Sequence, residues 1–304
     1  MATLGRFGNM NPPALARKSP YLTSVDPFKI IGNLYYVGNA FCSTHLIDTG
    51  DGLIILDVPA VADLPYLVNS IWRAGFDPRD IKYILISHAH ADQYGSVKAM
   101  VHLTGAKTMM GELDVKDMKE NPGPFEEMHR NFGGMEEFFE ADVALKDGDI
   151  IELGNTKIRC ALIPGHTIGT MAHFWDVVDN GKTYHVGIYG GAGFITLSDE
   201  WIAKNGLPAS IKDTFVQSID KVWNEKVDVM LGNHPFHNDT MKKRNLLLSG
   251  DKNAFIDPTE WQRFLQELKD TFAAFRKMTP DEIKKANDVS GFVEYTGRYI
   301  GLTE

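Results

Sequence analysis

The chain of 304 residues contains only two cysteines, Cys42 and Cys160. Each lies in an apolar, strand-like stretch, so the pair predicts buried free thiols rather than a disulfide framework. No run approaches the length of about 18 apolar residues that a membrane span needs. The start of the chain also lacks the long apolar core of a secretory signal. If the sequence is the full gene product, these absences predict a cytoplasmic protein without a membrane span.

Basic residues are scarce relative to acidic ones, which gives a formal net charge of -9. The run Lys242-Lys243-Arg244 is too short for a nucleic-acid surface and is interpreted as a solvated loop. We therefore expect neither a nucleic acid nor a membrane as partner, and the oligomeric state stays open. A hydrophobic content of 43% is typical of a globular protein with a sizeable core.

The most informative stretch is His88-Ala89-His90-Ala91-Asp92-Gln93, which directly follows an apolar run at 83–86. The run predicts a buried strand. The polar stretch then lies in the loop at the strand's carboxyl end, where open α/β sheets place their active sites. Imidazole nitrogen and carboxylate oxygen are ligands that zinc and its neighbours take, and catalytic sites leave one position open for water. We therefore predict a metal site here.

Two further histidines also fall just beyond predicted strands, His166 in Pro164-Gly165-His166-Thr167 and His234 in Gly232-Asn233-His234-Pro235. The predicted elements form two similar halves, each with its histidines after a strand end. Two sheets packed face to face, with helices on both outer sides, would bring those ends to one rim. The sequence therefore predicts an α/β fold, an αββα sandwich with a metal site at one rim of two packed sheets.

The predicted domain organisation is simple. Residues 1–26 carry Pro12-Pro13 and Pro20 without periodicity and are interpreted as an extended arm. No long low-complexity linker interrupts the rest, so residues 27–304 are predicted to form a single domain that ends in two capped helices. The Met/Phe stripe between 125 and 139 is compatible with a core-facing helix or with a lid over the site.

Together these motifs resemble the metallo-β-lactamase superfamily, whose pattern is His-x-His-x-Asp-His, a later Pro-Gly-His-Thr and a last histidine after a strand. The resemblance covers about residues 28–234. The segments 32–38, 147–149 and 163–167 look most like the third subclass of metallo-β-lactamases.

The resemblance implies that three histidines, His88, His90 and His166, hold one metal ion. It implies that Asp92 and His234 hold a second ion with help from the next residue, Gln93. The implied cofactor is zinc, with one or two ions per chain. The implied activity is hydrolysis of a small-molecule substrate, in which metal-activated water attacks the carbonyl of a cyclic amide and Asp92 orients the nucleophile.

Two departures from the family pattern matter. Gln93 stands where the family usually has histidine, and an amide oxygen is the poorer zinc ligand. The second site should therefore be weaker, or hold a harder divalent metal. The region Tyr189-Gly190-Gly191-Ala192-Gly193 carries no acid, whereas the lactonase, thioesterase and nuclease branches carry a bridging aspartate there. Its absence favours the β-lactamase branch.

Other readings stay open, because one fold hosts many chemistries. A lactonase or esterase-type hydrolase, an iron redox centre and a metal-binding scaffold without turnover are the alternatives. Asp57, at the end of the predicted strand 53–56, is interpreted as a carboxylate that orients a metal-ligand histidine, with a plain strand-end cap as the other possibility.

Overall fold

The computed structural model describes residues 4–7, 20–126 and 139–286. In that part of the chain, the strands form one sheet of seven and one of five. The first sheet runs in chain order, with β1 Phe28–Ile31, β2 Leu34–Tyr36, β3 His45–Asp48, β4 Leu53–Leu56, β5 Ile81–Ile86, β6 Lys107–Gly111 and β7 Val143–Leu145. The second has the order β12-β11-β10-β9-β8, with β8 Ile150–Leu153, β9 Thr156–Leu162, β10 Met171–Asp179, β11 Lys182–Tyr189 and β12 Val229–Gly232.

Helices cover the outer faces of both sheets. They are α1 Leu64–Arg73, α2 Ala91–Tyr94, α3 Val97–Thr104, α4 Glu112–Glu120, α5 Asp199–Lys204, α6 Ile211–Lys221, α7 Thr240–Leu248, α8 Glu260–Phe275 and α9 Pro280–Ala286. The last begins with the predicted cap: Thr279 and Glu282 exchange side-chain-to-backbone hydrogen bonds.

Three apolar clusters fill the spaces between these layers. One joins the facing sides of the two sheets, with Leu34 and Ile54 from the first and Ile158 and Val186 from the second. Another packs the first sheet against α1 and α3, and a third packs the second sheet against α6 and α8. This layering is the predicted αββα sandwich, and the prediction is confirmed.

The strand directions explain where polar loops gather. β5 lies parallel to β4 and β6, and β12 lies parallel to β11. The loops that follow β5 and β12 therefore leave their sheets at carboxyl ends, which meet at one rim. This is the rim at which the sequence motifs were expected.

Several local interpretations need correction. Lys242-Lys243-Arg244 is not a solvated loop: it lies in α7, where Lys243 is buried against Glu260. The arm 1–26 is not simply extended where it is described, since residues 5–7 and 20–23 form 3-10 turns and Phe7 is buried. The division at residue 26 stays a prediction. Most of the stripe between 125 and 139 lies outside the described residues.

No helix within the described ranges is long and apolar enough to cross a membrane.

Candidate metal centre

Three of the predicted ligands meet at the rim, where the loop after β5 brings His88 and His90 to the loop after β9 with His166. The three rings are packed edge to face, with centroids 4.5 to 4.6 Å apart. Nε2 of His88 lies 3.2 Å from Nε2 of His166. Two nitrogens about 2.0 Å from one zinc ion at the tetrahedral angle lie about 3.3 Å apart. The observed spacing therefore matches that of two ligands of a single ion.

Backbone carbonyls decide which nitrogen of each ring is free. Nδ1 of His88 lies 2.6 Å from the carbonyl oxygen of Gly190, and Nδ1 of His166 lies 2.8 Å from that of Gly193. A carbonyl can only accept, so each Nδ1 carries the proton and each Nε2 presents a bare lone pair. Two bare lone pairs that face each other repel unless a cation lies between them. The donor set thus fits a divalent metal ion.

Burial keeps these imidazoles neutral. It lowers the pKa of His88 and His90 well below the usual value of 6.5, and neighbouring histidines lower both further. Burial also lowers the pKa of His166, to about 4. Neutral imidazole is the form that binds metals, so the three rings are ready as ligands near neutral pH.

A second cluster lies beside the first and contains Cys42, Asp92 and His234. Oδ2 of Asp92 lies 3.5 Å from Nε2 of His234 and 3.8 Å from Sγ of Cys42. Nδ1 of His234 donates to the carbonyl oxygen of Phe41 at 2.7 Å, which again leaves Nε2 bare. The structure therefore brings the predicted pair Asp92 and His234 together, and adds a thiol that sequence reasoning had placed in the core.

Gln93 is fully buried, and neither atom of its amide has a hydrogen-bond partner among the described residues. A buried amide without partners is costly. Its backbone groups are paired: the backbone nitrogen of Gln93 donates to the carbonyl oxygen of His90, and the backbone carbonyl of Gln93 accepts from the backbone nitrogen of Val58. The side chain is thus free for a ligand or an ordered water.

Asp57 reaches the cluster through an intermediate residue. Its carboxylate accepts from the backbone nitrogen and hydroxyl of Ser87, and Oγ of Ser87 lies 3.1 Å from Nδ1 of His88. Burial raises the pKa of Asp57 to about 7 against the opposing effect of the Ser87 hydrogen bonds. Its φ of 57° is left-handed, a conformation that residues other than glycine seldom adopt. The carboxylate is thus oriented toward the His88 loop, although the contact is indirect.

Asp114, on α4, is a site residue that sequence reasoning missed. Its fully buried carboxylate accepts from the backbone nitrogens of Ala89 and Gly169 and from the hydroxyl of Thr167. Burial raises its pKa to about 6, although the three hydrogen bonds act in the opposite direction. It therefore ties the His88–His90 loop to the His166 loop. An acidic residue early in an unpredicted helix carries no local signal of this role.

The glycine-rich segment after β11 packs directly against His166. A Cβ added to Gly191 would lie 2.4 Å from Cδ2 of that ring, closer than side-chain contacts allow. Any side chain there, including a bridging aspartate, would displace the histidine. A carboxylate side chain at position 191 is therefore incompatible with the observed position of His166.

An open pocket is lined by His90 and His166. Its walls come from α4, the segment 121–125 and the α5 region, and they include Asp117, Asn121, Trp201 and Asn205. Two of the three clustered histidines therefore line a pocket with both apolar and hydrogen-bonding walls.

Comparison with known proteins places this site in a family. Residues 37–234 match the family model of the metallo-beta-lactamase superfamily. A metallo-beta-lactamase from Legionella gormanii is 31% identical, with a TM-score of 0.76 over 84% of this chain and 97% of its own. A class B3 di-zinc metallo-beta-lactamase from an Alaskan soil metagenome is 26% identical, with a TM-score of 0.73 over 88% of this chain and 98% of its own. The class B3 neighbour agrees with the predicted likeness to the third subclass.

Similarity also extends to a hydroxyacylglutathione hydrolase of Rhodobacter capsulatus, 27% identical over 125 residues. That match covers 41% of this chain and 38% of the hydrolase, so the chain spans well under half the length of that relative. The family model covers most of the chain and ends at the His234 that completes the second cluster. The chain therefore belongs to the metallo-beta-lactamase superfamily.

Proposed function

We propose that this protein is a metal-dependent hydrolase that opens a cyclic amide, with zinc as its cofactor. The observation that carries the proposal is the convergence of three neutral imidazoles, with bare Nε2 atoms on His88 and His166, beside an open pocket that His90 and His166 line. Such a set would hold a divalent ion, and three-ligand catalytic sites of this kind keep one coordination position open for water.

The ligands are assigned in two groups. His88, His90 and His166 would hold one ion, while Asp92 and His234 would hold a second, with the Gln93 amide oxygen as the donor suggested by the family pattern. The di-zinc class B3 neighbour supports zinc as the metal. When bound, zinc lowers the pKa of a coordinated water from 15.7 toward about 7 and polarises a carbonyl oxygen.

The chain's own groups would position the substrate and move the proton. The pocket walls, among them Asn121, Trp201 and Asn205, would hold the substrate so that its carbonyl faces the histidines. The Asp92 carboxylate would take a proton from the attacking water and deliver it to the leaving amide nitrogen. Water thus adds across the C–N bond, with the hydroxyl on carbon and the proton on nitrogen.

Two observations bear on the substrate class. Similarity to metallo-beta-lactamases over nearly their whole length favours a cyclic amide, as does a segment 190–193 without an acid. Similarity to hydroxyacylglutathione hydrolase favours an ester-type substrate as the second candidate, although it covers a smaller part of either chain.

The test combines metal analysis with a substrate panel. Purified protein would be assayed for bound metal and for hydrolysis of penicillins, cephalosporins, carbapenems, lactones and a hydroxyacylglutathione. We expect bound zinc and fastest turnover of a β-lactam, with His166→Ala losing metal and activity together. Bound iron with oxygen consumption and no hydrolysis would favour a redox centre, and stoichiometric metal without turnover would favour a scaffold.

We further propose that residues 27–304 act as one catalytic domain, to which the arm 1–26 is attached. Phe7 packs against Phe194 and Phe264, and Arg6 donates to the carbonyl oxygen of His237. The arm thus contacts the loop after β12.

A further inference from the structure

We propose that Cys42 is the third protein ligand of the second metal ion, in the place that the family pattern gives to Gln93. The proposal rests on the proposed function in one respect, since it needs a metal ion at this rim. Its basis is the juxtaposition of a thiol, a carboxylate and an imidazole whose ligand atoms all lie within 4.8 Å of one another.

The distances suit a shared ion. Ligand atoms about 2.0 Å (nitrogen or oxygen) and about 2.3 Å (sulfur) from zinc lie about 3.3 to 3.5 Å apart at the tetrahedral angle. The observed separations from Oδ2 of Asp92 are 3.5 Å to Nε2 of His234 and 3.8 Å to Sγ of Cys42. Both separations lie within a few tenths of an ångström of the tetrahedral values, and all three ligand atoms lie within 4.8 Å of one another.

The backbone on both sides of Cys42 is hydrogen-bonded to the loop that carries His234. On one side of the cysteine, the Phe41 carbonyl accepts from Nδ1 of His234 at 2.7 Å. On the other side, the Ser43 amide donates to the Asn233 carbonyl at 3.1 Å. The thiol is thus held between two contacts to a ligand-bearing segment, rather than placed in the core by a strand.

A tight turn fixes the direction of this loop. Oδ1 of Asn39 accepts from the backbone nitrogens of Phe41 and Cys42 at 2.8 and 2.7 Å, and Nδ2 of Asn39 donates to Asp63. The Asn39 backbone nitrogen in turn donates to the carbonyl of Cys42. A loop whose polar groups are paired in this way holds its thiol in position before any ion arrives, as ligand preorganisation requires.

Cys160 shows what a structural cysteine looks like in the same chain. It lies in β9, within the apolar cluster between the two sheets. No carboxylate or imidazole joins it in the metal-compatible groups found among the described residues, whereas Cys42 has both. The difference between the two thiols is the carboxylate and imidazole beside Cys42, since both thiols are buried.

The chemistry of the donors follows from this assignment. A thiolate is a far better zinc ligand than an amide oxygen, and it disfavours hard cations such as manganese. Coordination breaks the S–H bond and forms a sulfur–metal bond, and the proton leaves to solvent. The second site then carries two anionic donors, Cys42 and Asp92, instead of the single one expected from the Gln93 pattern.

The test uses cobalt(II), whose bonds to thiolate absorb in the near ultraviolet. The whole 304-residue chain, stripped with a chelator, would be titrated with cobalt(II) alone while absorbance and bound cobalt are recorded. We expect two equivalents to bind, with a sulfur-to-cobalt charge-transfer band belonging to one of them. The band should persist in Cys160→Ala and Gln93→Leu, and disappear in Cys42→Ala and Cys42→Ser.

Zinc competition against a chelator supplies the second measurement. The second ion of Cys42→Ser should be held at least about 10-fold more weakly than in the parent protein, with the first ion unchanged. Two bound cobalt ions without a sulfur band in the parent protein would overturn the inference and leave the proposed function intact. The same holds for a band that survives in Cys42→Ala. A parent protein that binds no metal would overturn both the Cys42 inference and the proposed function. The parent spectrum tests the inference even if a variant fails to fold.

Discussion

The carboxylate of Asp114 accepts a hydrogen bond, 2.8 Å long, from the backbone nitrogen of Ala89, the residue between His88 and His90. Its other contacts, to Thr167 and Gly169, reach the loop that carries His166. One carboxylate on α4 therefore sets the distance between the two segments that supply the three-histidine cluster. The metal affinity of the site should depend on a residue that touches none of the proposed ions.

Asp114→Asn should weaken metal binding. Each carboxylate oxygen of Asp114 accepts from at least one donor, so either orientation of the new amide would point its NH₂ group at an N–H or O–H. A buried donor without a partner costs about 1–3 kcal/mol. We expect the free energy of unfolding to fall by that amount and the zinc affinity to fall roughly 10–100-fold. Urea unfolding and chelator competition would measure the two effects.

The matched control for Asp114→Asn is Glu120→Gln, on the exposed side of the same helix. It should leave both quantities unchanged. If Asp114→Asn holds zinc as tightly as the parent protein, the carboxylate does not set the loop spacing.

Gly191→Ala should disturb the three-histidine cluster without introducing any polar group. The new methyl would lie 2.4 Å from Cδ2 of His166, a ring already held through Nδ1 by the Gly193 carbonyl. Relieving the overlap costs about 1–3 kcal/mol, and it moves a proposed ligand out of place. We expect a lower zinc content after gel filtration and a loss of hydrolysis in proportion. Gly123→Ala, whose Cβ would meet no atom within 4 Å, is the control for metal binding and should keep the zinc content of the parent.

The sequence was sufficient to predict the fold and the approximate location of most of the proposed ligands. His88, His166 and His234 each follow a strand, and the carboxyl ends of parallel strands meet at one rim, so local pattern and sheet geometry together place them. The sequence also predicted the capped helices at the carboxyl end of the domain. These predictions succeed because they depend on spacing along the chain.

What the sequence could not supply depends on contacts between distant segments. Cys42 is 50 residues from Asp92 and lies in a stretch as apolar as a core strand. β6 and β7 were not predicted, because pairing with their parallel neighbours stabilises these strands more than the β-propensity of their own residues does. α4, which lies between β6 and β7 in the chain, was not predicted either. The role of Asp114, a residue of α4, was therefore missed.

The buried ion pair between Lys243 and Glu260 links α7 to α8, and both side chains are about nine-tenths buried. Burial raises the pKa of Glu260, while Lys243 acts to lower it. Removing one partner leaves the other charge buried without a counter-charge. Lys243→Met and Glu260→Leu should therefore each lower the free energy of unfolding by about 3–5 kcal/mol. The double variant should lose much less than the sum of the two. Strict additivity in urea unfolding would mean that the two groups do not interact.

Acid should weaken the start of α8 through Asp257. Burial raises the pKa of this carboxyl, but hydrogen bonds from Arg263 and Thr259 outweigh that effect and lower it from 3.8 to about 2. Between these values the unfolded chain binds more protons than the folded one, so stability falls as the pH falls. The contribution of Asp257 is therefore fully present above about pH 4 and is lost as the pH drops through about 2.

Asp257→Asn tests this directly, because the amide cannot ionise. Parent and variant, both stripped of metal so that ligand protonation plays no part, would be unfolded with urea at several pH values from 2 to 6. We expect the parent to be the more stable above pH 4, and the difference between the two proteins to shrink steadily below it. Asp51→Asn, at an exposed turn, should show no such convergence. A difference between parent and Asp257→Asn that stays constant down to pH 2 would mean that the hydrogen bonds from Arg263 and Thr259 do not favour the ionised carboxylate, since ionisation is the only property of the Asp257 carboxyl that changes over this range.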